Sequence, residues 1–280
     1  MKKTLAFLMA AMMMLALAAC GGATAAPSSS AVSDSSSAVL DDSSAPEGGK
    51  VAEIQAAGKL IMLTNAEFPP FEYLGEGAAV KGVDADLAQM IADELGVELE
   101  ILNADFDTLI DMLNSGKGDL IAAGMSITPE RQQQVDFSIP YVDTTLLIIV
   151  PVDSDITSAE DLIGKTIAVQ EGTTSDLYVS DNVEAKEILR FKSAVEAGTT
   201  VSTGKADVAV LDELTAKNVV EANSDTLMLL EEPIAHEQYA MAIAKDGEDL
   251  LAVINTVLEK AVADDIVNQK IAEHMELSQG

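Results

Sequence analysis

Arg131 is one of only two arginines in a chain of 280 residues, the other being Arg190. A guanidinium fork suits two-pronged recognition of a carboxylate better than a lysine does. The preceding Thr128-Pro129-Glu130 also reads as a helix opening, with Thr at the N-cap and Pro at the first helical position, which is a purely structural account of the same residues. Both can hold, because a helix start also turns free N–H groups toward an anion. Asp212 has a bland reading as well, as one solvated acid among 47. Yet it directly follows the apolar run 208–211, and in open α/β sheets ligands bind beyond the carboxyl ends of the strands. The chemistry on offer is ion pairing and hydrogen bonding, since no Ser-His-Asp arrangement, reactive cysteine or phosphate-cradling loop stands out. His236 and His274 have no metal-ligand pattern near them and are expected at the surface.

The elements that must position these residues follow from periodicity. Residues 60–64 read as a strand, 86–95 as a helix carrying Leu87, Met90, Ile91 and Leu95 with Gly96 behind it, and 97–102 as the next strand. A second helix carries Leu109, Ile110, Met112 and Leu113 and ends at Gly116, before a strand at 119–123. Strand, helix, strand, helix, strand predicts a doubly wound parallel sheet. Ser115-Gly116-Lys117-Gly118-Asp119 is echoed by Thr203-Gly204-Lys205-Ala206-Asp207, each leading into an apolar run, so two lobes of similar construction are expected. Apolar runs at 146–150 and 239–244 are the candidate crossover strands. This places lobe one at 51–144 plus 237–280 and lobe two at 145–236, the latter with a strand at 166–170, a loop at 171–174 and a helix from Ser175. Segments 65–71, 124–131 and 171–175, together with Asp212, then arrive at the ligand end of the strands.

Composition narrows the partners. With 48% hydrophobic and 22% charged residues the chain is globular, and its length suffices for two cores. A formal net charge of −31 argues against nucleic acid, whose phosphates draw on clustered cations, and against attraction to anionic headgroups. Membrane association therefore needs another source. Lys2 and Lys3 precede an apolar run, 5–19, that closes on Leu17-Ala18-Ala19-Cys20, the layout of a secretory signal. Roughly 15 apolar residues fall short of the ~20 that span a bilayer. Residues 20–50 are rich in Ser, Ala and Gly, carry no aromatic residue and read as a flexible tether.

Two resemblances rest on these motifs. Leu17-Ala18-Ala19-Cys20 is similar to the bacterial lipobox, which implies cleavage after residue 19 and a diacylglyceryl group on the thiol of Cys20, the only cysteine. Asn65-Ala66-Glu67-Phe68-Pro69-Pro70-Phe71-Glu72-Tyr73, Gly82-Val83-Asp84, Gly124-Met125-Ser126 and Thr128-Pro129-Glu130-Arg131 resemble the polar amino-acid-binding proteins of ABC importers, extracellular solute-binding protein family 3. The likeness continues through Gln170-Glu171-Gly172-Thr173-Thr174 and Val210-Leu211-Asp212 and covers nearly everything from Lys59 onward.

That resemblance implies two doubly wound α/β lobes joined by two crossover strands, the periplasmic binding protein type 2 or Venus-flytrap fold. It also implies an extracytoplasmic monomer, held to the outer face of the membrane by its lipid, that needs no cofactor or metal and delivers a free amino acid to a permease. By position it makes Arg131 the grip on the ligand α-carboxylate, with Gly124, Met125, Ser126, Thr173 and Thr174 around it. Asp212 becomes the holder of the α-ammonium, and Phe68 and Phe106 the aromatic walls. Many relatives have Asp where Asn65 stands and some have Lys at Gln170, so a polar, uncharged amino acid is the expected ligand, while Glu67 and Asp105 keep a cationic one open. Prephenate or arogenate dehydratases share the fold, and Glu171 or Glu67 could be imagined as their general acid. A sensing module without a transporter is the remaining alternative.

Overall fold

The computed structural model describes residues 48–278. The expected signal segment, Cys20 and all of the expected tether before Gly48 lie outside them.

The helix α1 (Gly49–Ala57) turns through Gly58, whose φ of 72° suits glycine, into the strand β1 (Lys59–Thr64). Its opening N–H groups, from Lys50 and Val51, donate to the carboxylate of Asp249 at 3.2 and 2.9 Å. A small ribbon, β2 (Glu67–Phe68), β3 (Glu72–Leu74) and β4 (Val80–Lys81), comes before α2 (Val83–Leu95) and β5 (Glu98–Asn103). Then follow α3 (Leu109–Asn114), β6 (Leu120–Ile121), α4 (Pro129–Gln132) and β7 (Val135–Phe137). The chain crosses at 138–141 into a second sheet, built from β8 (Val142–Pro151), β9 (Thr166–Gln170), β10 (Glu187–Phe191), β11 (Val208–Asp212), β12 (Leu227–Leu229) and β13 (Ala235–Tyr239). Between its strands run α5 (Thr174–Asn182), α6 (Ala194–Ser202) and α7 (Glu213–Ala222). Past Ala240 and Met241 the chain is back in the first sheet as β14 (Ala242–Ala244), and it closes with α8 (Glu248–Ala263) and α9 (Ile266–Ser278).

The sheets run β5-β1-β6-β14-β7 and β10-β9-β11-β8-β12, with β13 also on β8. Both are mixed. β1, β5 and β6 are parallel and so are β9, β10 and β11, as helix crossovers require, but β14 is antiparallel to both neighbours and β8 to all of its partners. The strands that break the parallel rule are those that enter or leave across the hinge. The run expected as one crossover strand at 239–244 is two, interrupted at 240–241 where the chain changes sheets.

Helix α2 begins three residues before the expected start, because Val83 and Asp84 are buried on its inner face. It can begin there only behind glycine: Gly82 has φ 136°, and a Cβ on it would meet the Phe71 carbonyl oxygen at 2.0 Å. Strand β6 is shorter than 119–123, since after Ile121 the chain keeps one more bond to β1, Ala122 N–H to Leu63 O at 3.1 Å, and then swings into the cleft.

The sequence echo is a structural one. Gly116 (φ 74°) and Gly204 (φ 68°) each end a helix, and each is followed by a Lys whose N–H returns to that helix. Asp119 then donates its N–H to Ile61 O and accepts the Ile61 N–H on its carboxylate, both at 2.8 Å. Asp207 does the same with Thr166, at 2.8 and 2.7 Å. Both lobes therefore use one corner to aim a strand at the cleft.

One hydrophobic core runs from the buried face of α2 and α8 through Phe68, Phe71 and Tyr239 to Leu147, Ile149 and Leu211 in the second sheet. The lobes meet over packed aromatic rings: Phe71 stands edge-on to Tyr239 at 5.1 Å and stacks on Phe68 at 5.7 Å. His274, expected at the surface, is buried at 4% exposure. Its ring bonds Tyr73 Oη at 2.9 Å and Asp86 at 3.2 Å, which fastens α9 to the first lobe.

Candidate functional site

Where the strand ends of the two sheets face each other lies a small cavity. Phe68, Phe106, Gly124, Ser126, Arg131, Gln170, Thr173, Thr174 and Asp212 all line it, together with Ala123. Met125 does not. Met125 packs into the core cluster with Leu109 and Ile121, while its neighbours Gly124 and Ser126 line the cavity. Asn65 stands one layer back, as the partner of a wall residue.

The helix opening read at Thr128-Pro129-Glu130 is present, and Arg131 lines the cavity. Its backbone N–H is capped by Thr128 Oγ1 at 3.2 Å with Pro129 opening the helix, and its side chain enters the cavity at 6% exposure. Nη1 donates to Ser126 O at 2.8 Å and Nη2 to Gly172 O at 3.2 Å, so the guanidinium already reaches from the first lobe to the second. The Phe106 ring lies under it, 5.3 Å from centroid to Cζ. Burial lowers its pKa, and the carboxylates of Glu237 and Asp212 work against that loss.

Asp212 ends β11 opposite this cation. Its Oδ1 accepts the Tyr239 hydroxyl at 2.6 Å, and burial pushes its carboxyl up to about 7, with the Tyr239 hydrogen bond and Arg131 opposing and Glu237 adding to the rise. Gly124 is fixed from below: its N–H donates to Asp84 Oδ2 at 2.8 Å, and Asp84 Oδ1 accepts the Tyr141 hydroxyl at 2.7 Å. With φ 51° and the Phe68 ring 2.7 Å from where a Cβ would stand, this position suits glycine alone. Thr173 caps α5 and donates its hydroxyl to Gln170 O at 2.8 Å.

The far wall is an amide pair across the cleft. Gln170 Nε2 donates to Asn65 Oδ1 and to Lys192 O, both at 2.8 Å, which uses both of its hydrogens. Asn65 Nδ2 in turn donates to Ala104 O. That leaves the carbonyl oxygen, an acceptor, as the remaining polar atom of the Gln170 amide. Outside this wall Lys192 bridges the lobes, at 2.8 Å from Asp107, 3.0 Å from Glu171 and 3.4 Å from Asp105. Glu171 and Glu67 stand outside the cavity.

Sequence reasoning missed Glu237, Tyr239, Asp84 and Tyr141. The first two were within reach, because residues two apart in a strand share a face. Among the described residues no group of His, Cys, Asp and Glu side chains is arranged to hold a metal, and no helix is long and apolar enough to cross a membrane.

Residues 60–275 match the family model for bacterial extracellular solute-binding proteins, family 3. The chain is 33% identical to the arginine-binding extracellular protein ArtP of Bacillus subtilis, over 89% of this chain and 88% of that one. It is 43% identical to the arginine-bound form of truncated ArgBP from T. maritima, with a TM-score of 0.70 over 75% of this chain and 99% of that one. It is also 32% identical to an ancestral amino acid-binding protein described as a precursor of cyclohexadienyl dehydratase, with a TM-score of 0.73 over 81% and 99% of the two chains.

Proposed function

We propose that this chain, which belongs to the bacterial extracellular solute-binding proteins of family 3, captures a free L-amino acid between its lobes and hands it to the permease of an ABC importer. A lipid on Cys20 would hold it at the outer face of the membrane meanwhile. The observation that carries the reading is the pairing of Arg131 from one lobe with Asp212 from the other across a single cavity. An α-amino acid is a zwitterion, and the site faces a cation from one lobe with an ionisable acid from the other. Closure then draws its free energy from the ligand's better contacts in the closed state.

The far wall argues for a side chain that donates. Asn65 and Gln170 made an uncharged polar ligand the expectation, but with the Gln170 hydrogens committed the wall presents an acceptor. Among polar amino acids we therefore put arginine first, in line with the ligand named for two of the relatives above. A catalytic reading finds no support in the cleft, since Glu171 and Glu67 lie outside the cavity and Glu171 is paired with Lys192.

A thermal-shift screen against the twenty proteinogenic amino acids tests this. A ligand that binds only the folded state at 100 times its Kd stabilises by about 2.7 kcal/mol, which moves Tm by several degrees. Arginine should give the largest rise. A rise with glutamate or glutamine alone would sink the side-chain argument, and no rise with any amino acid would sink the binding function. Anchoring is tested separately: Cys20→Ser should move the protein from the membrane fraction to the medium.

A further inference from the structure

We propose, resting on the reading that this cleft closes on an amino acid, that Glu237 is a positioning residue that ties the lobes together behind the site and fixes which way its hydroxyl groups point. Glu237 lies mid-way along β13, the strand that carries the chain back toward the first lobe, and pairs with Thr144 of β8. Its Oε2 accepts two hydroxyl protons, from Ser126 Oγ at 2.6 Å and from Thr174 Oγ1 at 2.8 Å. Ser126 follows β6 of the first sheet, whereas Thr174 opens α5 over the second. Both line the cavity and Glu237 does not, so the carboxylate stands behind the wall these two residues form.

Two consequences follow from where those protons go. A hydroxyl has one proton and two lone pairs. With both protons committed to Glu237, Ser126 Oγ and Thr174 Oγ1 turn only acceptor lone pairs to the cavity. They then suit the ligand ammonium beside Asp212, and a ligand carboxylate is left to Arg131 and to backbone N–H groups such as the opening ones of α5, which have no acceptor within the helix. The second consequence is mechanical. One oxygen atom takes a donor from each lobe, and so adds a charged tie beside the backbone bonds of Ile127 N–H to Gln238 O and Ala240 N–H to Met125 O.

Other interlobe polar contacts differ in kind: Arg131 Nη2 and Thr215 Oγ1 donate to the backbone oxygens of Gly172 and Pro69. Lys192 and its carboxylates lie at the open mouth, with the Lys192 side chain 48% exposed, where water and salt screen them. The Gln170–Asn65 bond joins neutral groups. Glu237 alone of these puts a charged acceptor on hydroxyls from the cavity wall. Its removal should therefore speed ligand release although it touches no ligand.

The test is made in a Cys20→Ser background, so that every protein stays in solution. Glu237→Ala, Glu237→Gln, Thr174→Val and the double variant Glu237→Ala/Thr174→Val are compared by stopped-flow binding of L-arginine, of an equimolar mixture of the twenty amino acids, and by small-angle scattering without ligand. Glu237→Ala should release ligand about tenfold faster with association unchanged, and Glu237→Gln, which keeps one acceptor oxygen, should fall between it and wild type. The double variant should be no worse than the poorer single variant, and ligand-free Glu237→Ala should have a larger radius of gyration than ligand-free wild type. Tighter binding by Glu237→Ala would mean that Glu237 competes with the ligand, and that result overturns the proposal, as do unchanged release or additive losses. If wild type binds no amino acid, the ligand class fails, and scattering still judges the tie: an increase upholds it and equal radii overturn it. Should Glu237→Ala not fold, Glu237→Gln decides by the same measures.

Discussion

Asp212 is a carboxyl poised between its two charge states, because burial raises it to about 7 while Arg131 and Tyr239 pull it down. A ligand ammonium needs it ionised. Amino-acid affinity should therefore rise as pH increases from 6 to 8, and binding near pH 7 should release about half a proton, as calorimetry in buffers of different ionisation enthalpy can measure. Removing one partner of a buried ion pair typically costs on the order of 3–5 kcal/mol, so Asp212→Ala should weaken binding by a factor of hundreds or more while remaining folded at its strand end. Glu72 poses the opposite problem. Neither of its carboxyl oxygens has a donor, it is fully buried, and burial first and Asp84 second hold its pKa well above the ordinary value. Asp84 itself is pushed up to about 6, mainly by burial. For acids whose folded pKa lies above the unfolded one, the stabilisation is full below the unfolded value and is lost as pH rises through the folded one. Ligand-free protein should thus melt lower at pH 8 than at pH 5. Glu72→Gln, which cannot ionise, should raise Tm at pH 8 by roughly 2–6 °C and flatten that slope.

The paired corners at Asp119 and Asp207 show what an element needs besides apolar residues. Each carboxylate satisfies the N–H of a neighbouring strand residue that also accepts from the same Asp, so Asp207→Ala leaves the part-buried Thr166 N–H without its acceptor. Losses of that kind cost about 1–3 kcal/mol, visible as a lower urea midpoint at unchanged m-value. These corners were legible in the sequence, as were the glycine stops and the parallel strands, because each is written in consecutive residues, whereas Phe68, Phe106 and the Thr173–Thr174 loop came only from the family resemblance. What was not legible depends on distant chain. Nothing local tells that Ala242–Ala244 pairs with both β6 and β7, or that His274 will find Tyr73 and Asp86. Helix α1 was passed over for a related reason, since its start is satisfied by Asp249, nearly 200 residues away. Met125 was misplaced because a motif was read as a block, although this member of it turns into the core.

At the scale of the molecule, one lobe is continuous in the chain and the other is not. Every strand of the second sheet lies between Val142 and Tyr239, whereas the first sheet takes β14 from beyond the crossover and seats it between β6 and β7. Strand β7 has no other partner in that sheet. A chain ended after Met241 should therefore keep slow hydrogen exchange in β9 and β11 and lose it in β1 and β6, which exchange read by mass spectrometry would show. The order of synthesis gives this asymmetry a use. Domains fold as their residues become available, so the second lobe can complete first while the first lobe stays an unclosed sheet until residues after Met241 emerge. For a chain whose opening residues read as an export signal, the half nearest that signal would then be the half that locks last.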